Sequence, residues 1–238
     1  MRSSVSLCGV LLGLLTACTM APRNVEDLAR PAQQRVLHGE LVHDMLAQGR
    51  SHAALAHLEE LRRQQGKLTA DQRLLRAEAH YRIGELGEAS ADYTQLLQTT
   101  LAGQAWHGLG RIYTPTDLRK ALQAYNNALE QRPTDAAIRN DLGYALLLGG
   151  RVLDACRHLR TAHELDPQQA RIIANLLLCE AALGRHDEVE RMMQVQGFTP
   201  AERQQHQRQY EQLRATMVER KAELLAAPTG VSDDPSAS

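Results

Sequence analysis

From Ala136 to Gln169 the small and apolar residues fall into two runs of helical period separated by a glycine turn. Leu142 and Gly143 sit midway along the first run, and Gly150 occupies the turn. Ala155, Leu159 and Ala162 line one face of the second run, and Pro167 closes the unit. Small residues let two helices approach closely, and proline lacks the N–H that a continuing helix needs. The pattern predicts a helical hairpin that cannot bury its own apolar face and needs neighbours. The same punctuation recurs along the chain. Turn glycines in register stand at Gly49, Gly84, Gly150 and Gly184, at intervals of 35, 66 and 34 residues, the middle one close to two units. The small residue of the second run recurs as Ala54, Ala89, Ala121 and Ala155, with Val189 a weaker counterpart. The missing unit carries Trp106, Leu109, Gly110, Tyr113, Ala121, Tyr125, Ala128 and Pro133, provided its turn at Thr114-Pro115-Thr116 is one residue short. Five helix pairs are therefore predicted, at roughly 35–69, 70–101, 102–135, 136–169 and 170–197. Pro200, Ala201 and Glu202 make a good helix start, and no Gly or Pro follows until Pro228, so 200–225 reads as a last, polar capping helix.

The quoted residues resemble the tetratricopeptide repeat (TPR), a helical hairpin that stacks into a superhelix. The resemblance implies an all-α fold: a TPR-like α-solenoid of about five helix pairs plus a C-terminal capping helix, offering a binding surface rather than an active site. The pairs at 102–135 and 136–169 match well and the others are degenerate. Arg76 sits where the pattern usually has leucine, and Leu177 where it has glycine or alanine. The competing reading is an ordinary helical bundle with coincidental spacing. Strands fit poorly, since aromatic residues are only 3% of the chain and apolar positions do not alternate.

At the N-terminus Arg2 precedes an apolar run, Val5 to Leu15, of the length of a secretory signal core and too short for a permanent membrane span. The run ends in Leu15-Thr16-Ala17-Cys18, which resembles the lipobox of bacterial lipoproteins. That resemblance implies a signal peptide at 1–17, cleavage before Cys18 and lipidation of its thiol. Several acyl chains at one residue anchor a protein far more firmly than one. Thr19 follows, where aspartate usually signals inner-membrane retention in such lipoproteins, so the resemblance implies an outer-membrane address facing the periplasm. Residues 18–34, with Pro22 and Pro31, read as a tether, 35–199 as the repeats and 226–238 as a disordered tail. The alternatives are a soluble secreted protein and a cytosolic one with an apolar start.

Formal charge is −1 with both signs interspersed. There is no basic stripe or aromatic ladder, so nucleic acid is not an expected partner. Cys8 leaves with the signal peptide and Cys18 is modified, which leaves Cys156 and Cys179. These lie on helices that successive repeats pack together, so they either form a disulfide in an oxidising periplasm or serve as small apolar filler. The histidine pairs His38/His43, His52/His57 and His158/His163 are five apart, which places the rings on different faces of a helix. A metal pair on one helix needs three or four, so no metal is expected. No phosphate loop, nucleophile elbow or Cys/His signature is present, and no cofactor or catalysis is expected.

In TPR proteins the first helices line the concave side, at the second, fifth, ninth, twelfth and thirteenth positions of each unit. Those positions give Asp71, Leu74, Glu78, Tyr81 and Arg82; Ala137, Asn140, Tyr144, Leu147 and Leu148; and Arg171, Ala174, Leu178, Ala181 and Ala182. The third unit offers Gln104, His107 and Arg111. From these, Tyr81, Arg111, Asn140, Tyr144, Leu147, Leu148, Arg171 and Leu178 are the candidate partner-binding residues. The lysine and asparagine set by which some TPR proteins clamp a terminal carboxylate is missing: the relevant positions hold Gly39, Leu74, His107, Asn140 and Ala174. An apolar C-terminal half of the groove suits a partner's amphipathic helix. It equally suits the capping helix itself, folded back through Leu213, Met217 and Leu224. On the first alternative, glutamate at Leu147 and Leu148 should abolish partner binding and leave helicity intact.

Lipobox, degenerate TPRs and length together resemble two families of pilus-assembly lipoproteins. One is TadD, of the tight-adherence (Flp pilus) machinery, and the other is the PilF/PilW group of type IV pilotins. The irregular repeats and the richness in Gln, Arg and His lean toward the first. The resemblance implies a pilotin-like role, with the anchor at Cys18 and the groove holding a segment of a secretin subunit or another pilus component. A scaffold for another envelope system (type IV pilus, exopolysaccharide or cell-wall synthesis) and a regulator that presents a hydrolase to its substrate remain alternatives.

Overall fold

The computed structural model describes residues 25–226, and side chains from 36 to 219. The signal peptide at 1–17, the lipobox with Cys18, the start of the tether and the tail from 227 lie outside the described residues, as does the side chain of Leu224. Residues up to 38 and residues from 39 onward form two units, and the packing below is that of the second.

Every regular element among the described residues is a helix. Five pairs follow one another: α1 (Val25–Ala47) with α2 (Ser51–Gln65), α3 (Ala70–Arg82) with α4 (Leu86–Leu96), α5 (Ala102–Tyr113) with α6 (Leu118–Gln131), α7 (Ala136–Leu148) with α8 (Val152–Leu165), and α9 (Ala170–Ala182) with α10 (His186–Val195). A final helix, α11, spans Pro200–Ala226. One boundary departs from the expectation. The stretch 25–34, read as tether, is helical from Val25 onward.

Polar caps start several helices. Thr69 accepts from the Gln72 N–H at 3.2 Å while the Gln72 side chain accepts from the Thr69 N–H at 3.0 Å, a reciprocal capping box. Thr199 and Glu202 repeat that arrangement at the head of α11. Asp135 accepts from the N–H groups of Ala137 and Ile138. The turn glycines Gly84 and Gly150 sit at φ 84° and 71°, where a side chain would be strained. The pair α5–α6 has no such glycine. There α5 stops at Tyr113 after 12 residues against 13 in α7, Pro115 follows, and Asp117 caps α6 by accepting from the Lys120 N–H.

Each helix packs on its neighbour in sequence from α2 to α9, and the first helices of successive pairs also meet, α3 on α5 and α7 on α9. The approach within a hairpin is close because one partner is glycine: a Cβ at Gly143 would lie 2.6 Å from Leu159, and one at Gly110 would lie 2.5 Å from Tyr125. Arg76, where leucine was the norm, donates two hydrogen bonds to the buried carboxylate of Asp92, at 2.6 and 2.7 Å. Leu177 is fully enclosed and packs with Ile173, Val189 and Met193. The last helix crosses back: α11 packs against both α7 and α9, the helices that line the inner face.

Candidate functional site: the inner face and its channel

A ladder of polar contacts runs along the first helices from α3 to α9, with rungs at the joints between units. Between α3 and α5, Arg111 Nη1 donates to Glu78 Oε2 at 2.8 Å, while Arg82 Nε donates to Glu78 Oε1 at 2.7 Å. The Arg111 guanidinium stacks 4.0 Å from the centre of the Tyr81 ring. Between α5 and α7, His107 Nε2 lies 2.8 Å from Asp141 Oδ2. Between α7 and α9, Arg171 donates to the other oxygen of Asp141, and Asn175 Nδ2 donates to Asn140 Oδ1 at 2.9 Å.

These partners set the carboxylates' titration. Burial pushes Glu78 up, but the charge of Arg111 and the hydrogen bonds from Arg82 and Arg111 outweigh it and hold the group below the usual carboxylate value. Asp141 behaves alike: burial raises it, and His107, Arg171 and Asn140 together bring it below its usual value. Tyr93 and Tyr125 are pushed up, in each case by burial first and then by a nearby carboxylate, Glu78 or Asp141. Both carboxylates are therefore ionised and held by fixed donors.

Beside the ladder lies a cavity of about 640 Å³, walled by Tyr81 and Arg82 of α3, Arg111 and Ile112 of α5, Asp141, Tyr144 and Leu148 of α7, Arg171 of α9 and Thr216 of α11. A second cavity of about 580 Å³ continues it. The two share Asp141, Tyr144, Leu148, Arg171 and Thr216, and the second adds Ala174, Leu178, Gln209, Gln212 and Leu213. Together they form one channel between α11 and the floor made by the first helices.

The structure sorts the eight candidate groove residues. Tyr81, Arg111, Tyr144 and Arg171 line the channel. Leu148 and Leu178 line it as well, but α11 lies over them and leaves them 8% and 6% exposed. Two expectations need correction. Leu147 is 0% exposed and belongs to the core, because on a helix of 3.6 residues per turn it points some 100° away from Leu148. Asn140 is likewise 0% exposed and bridges Asn175 to Asp141 rather than facing a partner. Glutamate at Leu147 would therefore break the fold, not probe an interface. Of the two occupants weighed for the apolar half of the groove, the capping helix is the one seated there, through Leu213, Tyr210 and Met217.

Reading by repeat position missed Asp141 and the polar residues of the α11 wall. Asp141 carries a detectable signal, an acid 34 residues after His107 and 30 before Arg171, about one unit from each. Thr216 and Gln212 of α11 carry none. Cys156 on α8 and Cys179 on α9 are joined as a disulfide with Cα atoms 5.6 Å apart, both buried beneath this face. Among the described residues no cluster of three or more His, Cys, Asp or Glu could hold a metal ion, and no helix is long and apolar enough to cross a membrane.

Stacked helical hairpins with an inner face built from their first helices define an α-solenoid binding scaffold. Comparison with known proteins makes this specific: the chain belongs to the tetratricopeptide repeat family, whose sequence model matches residues 40–105 and 116–170. It is 35% identical over 191 residues to the TPR repeat-containing protein PA4299 of Pseudomonas aeruginosa, an alignment covering 80% of this chain and 76% of that one. Among solved structures it is similar to TTC0263, a thermophilic TPR protein of Thermus thermophilus, with a TM-score of 0.60, 18% identity and coverage of 74% and 96% of the two chains. MamA of Desulfovibrio magneticus is also similar, at a TM-score of 0.50, 18% identity and coverage of 76% and 94%. At such identity these structures show the shared fold alone. The chain is a TPR scaffold for protein–protein interaction.

Proposed function

We propose that this scaffold is a lipoprotein held at the periplasmic face of the outer membrane through Cys18, and that it acts as a pilotin-like assembly factor for a Tad/Flp-type pilus. In this role the inner face grips a segment of a secretin subunit or of another pilus-machinery protein near the membrane. The observation that carries the binding half is the channel itself, a two-walled slot with tyrosine, arginine and leucine lining rather than a catalytic cluster. The lipobox Leu15-Thr16-Ala17-Cys18 supports the anchor. The buried Cys156–Cys179 pair supports an oxidising compartment, since disulfides persist outside the reducing cytosol.

The test is a pull-down from detergent-solubilised envelopes with lipidated bait, followed by identification of the bound chains. Wild-type bait should fractionate with the outer membrane and retain a pilus-machinery protein. Cys18→Ala should no longer fractionate with the outer membrane. Tyr144→Ala combined with Arg171→Gln should lose the partner with helicity unchanged. Retention of a polysaccharide- or cell-wall-synthesis protein instead would reassign the scaffold to that system.

A further inference from the structure

Resting on the reading of the inner face as a protein-binding surface, we infer the chemistry of what it takes. The channel between α11 and the first helices accepts a partner segment that is acidic at one end and apolar at the other, threaded beneath α11 rather than laid on an open face.

The two ends of the channel differ in kind. At the α3 end the lining holds two guanidiniums found in that cavity alone, Arg82 and Arg111, while the Arg171–Asp141 pair stands at the waist that both cavities share. Counting that pair and Glu78, which holds Arg82 and Arg111 from behind, guanidiniums outnumber carboxylates three to two. This excess lies in a chain whose formal charge is −1, so it is local. Arg171 uses its terminal nitrogen on Asp141 while its side chain remains 58% exposed, which leaves donors directed at solvent. Arg111 is pinned flat on Tyr81, and a fixed guanidinium loses little freedom on meeting a carboxylate. Charge complementarity therefore selects carboxylates for this end.

Toward α9 the lining adds Ala174, Asn175, Leu178 and Leu213, and no charged side chain beyond the shared Arg171 and Asp141. The wall that α11 contributes there is Gln209, Gln212, Leu213 and Thr216, three of the four polar. A helix whose only task was to seal that floor would press bulky apolar groups onto it and fill the space. Leu213 does so, at 5% exposure, with Tyr210 and Met217 packed against the same core, but about 580 Å³ is left open beside it. The cavities are of the size that ligand sites occupy. Apolar side chains of the incoming segment supply the packing that α11 leaves undone, and α11 serves as the second jaw. Thr216 stands at the waist where the two cavities join.

The experiment uses the lipidated full-length protein in detergent micelles and fluorescence anisotropy with two labelled peptides. One carries a glutamate block followed by a leucine and phenylalanine block, and the other has lysine in place of glutamate. The glutamate peptide should bind at least about tenfold more tightly, with the preference falling as salt rises. Arg171→Gln should shrink that preference severalfold. Thr216→Trp, on the surface of α11, should weaken binding about tenfold by blocking the waist, with the melting temperature unchanged. Equal affinity for the two peptides, or wild-type affinity in Thr216→Trp, overturns the inference. If neither peptide binds while the envelope pull-down still retains a partner, the channel's chemistry is overturned and the scaffold role stands.

Discussion

The two ends of the inner face differ in how much charge they carry and in whether α11 covers them. At the Tyr81 end, α3 meets α5 through Glu78, Arg82 and Arg111, a rung of charge that stays partly open to solvent. At the Leu178 end, α7 meets α9 through the Arg171–Asp141 and Asn175–Asn140 contacts and through leucines, and α11 lies over the leucines. A charged rung tolerates water because its groups are solvated when exposed and paired when not. A leucine floor does not, since exposed apolar area is unfavourable at roughly 25 cal/mol per Å². The seat of α11 follows from that difference: the helix lies where the apolar residues are. The charged end is left as the mouth of the channel.

The sharpest way to break this comparison is to cut one side chain at each end. Leu147→Ala empties a fully buried site and should cost about 2–5 kcal/mol, read as a fall in thermal midpoint by circular dichroism. Tyr81→Ala removes a half-buried ring stacked on a guanidinium and should cost only about 1 kcal/mol. Equal costs would mean that the two ends are held alike.

A smaller effect concerns the disulfide, which belongs to the covered end alone. Its cysteines are 23 residues apart, and closing a loop of that size contributes about 3 kcal/mol. Reductant should lower the melting temperature of the wild type and leave a Cys156→Ala/Cys179→Ala double variant unmoved. An identical wild-type melt with and without reductant would remove the cross-link from the account.

The smallest effect separates the ends by pH. Buried His206, on α11, is held below its usual value of 6.5 by burial, partly opposed by Glu190. Its neutral form favours the docked helix, so that contribution is present above 6.5 and is lost as pH falls below it. Glu78 and Asp141 are held below the usual carboxylate values, so their contribution persists until the pH drops through that lower range. Amide protection, corrected for the intrinsic exchange rate and measured down a pH series, should therefore fall in α11 before it does in α3 and α5. The reverse order would contradict the assignment.

The helix pairs were legible from particular residues. Gly84 and Gly150 occupy conformations that side chains resist, and Gly143 and Gly110 admit Leu159 and Tyr125 where any larger residue would clash. These are local requirements, so they leave a periodic trace. Arg76 and Leu177 look like errors in the pattern until their partners are seen. Asp92 lies on the other helix of the same hairpin, and nothing in the period around Arg76 announces it.

The chain by itself determined its hairpins, their number and the stacking of first helices along one face, because close approach, turn geometry and burial period are imposed residue by residue. Which inner-face residues remain available was decided only in three dimensions. Leu147 and Asn140 turn inward while Leu148 turns toward α11, a choice set by how the helices cross. Leu213 and Met217 made the seat of α11 one of two readings, and only the packed structure chose between it and a partner. The place of the helix, and hence the channel, comes from the leucine floor that it is positioned to cover.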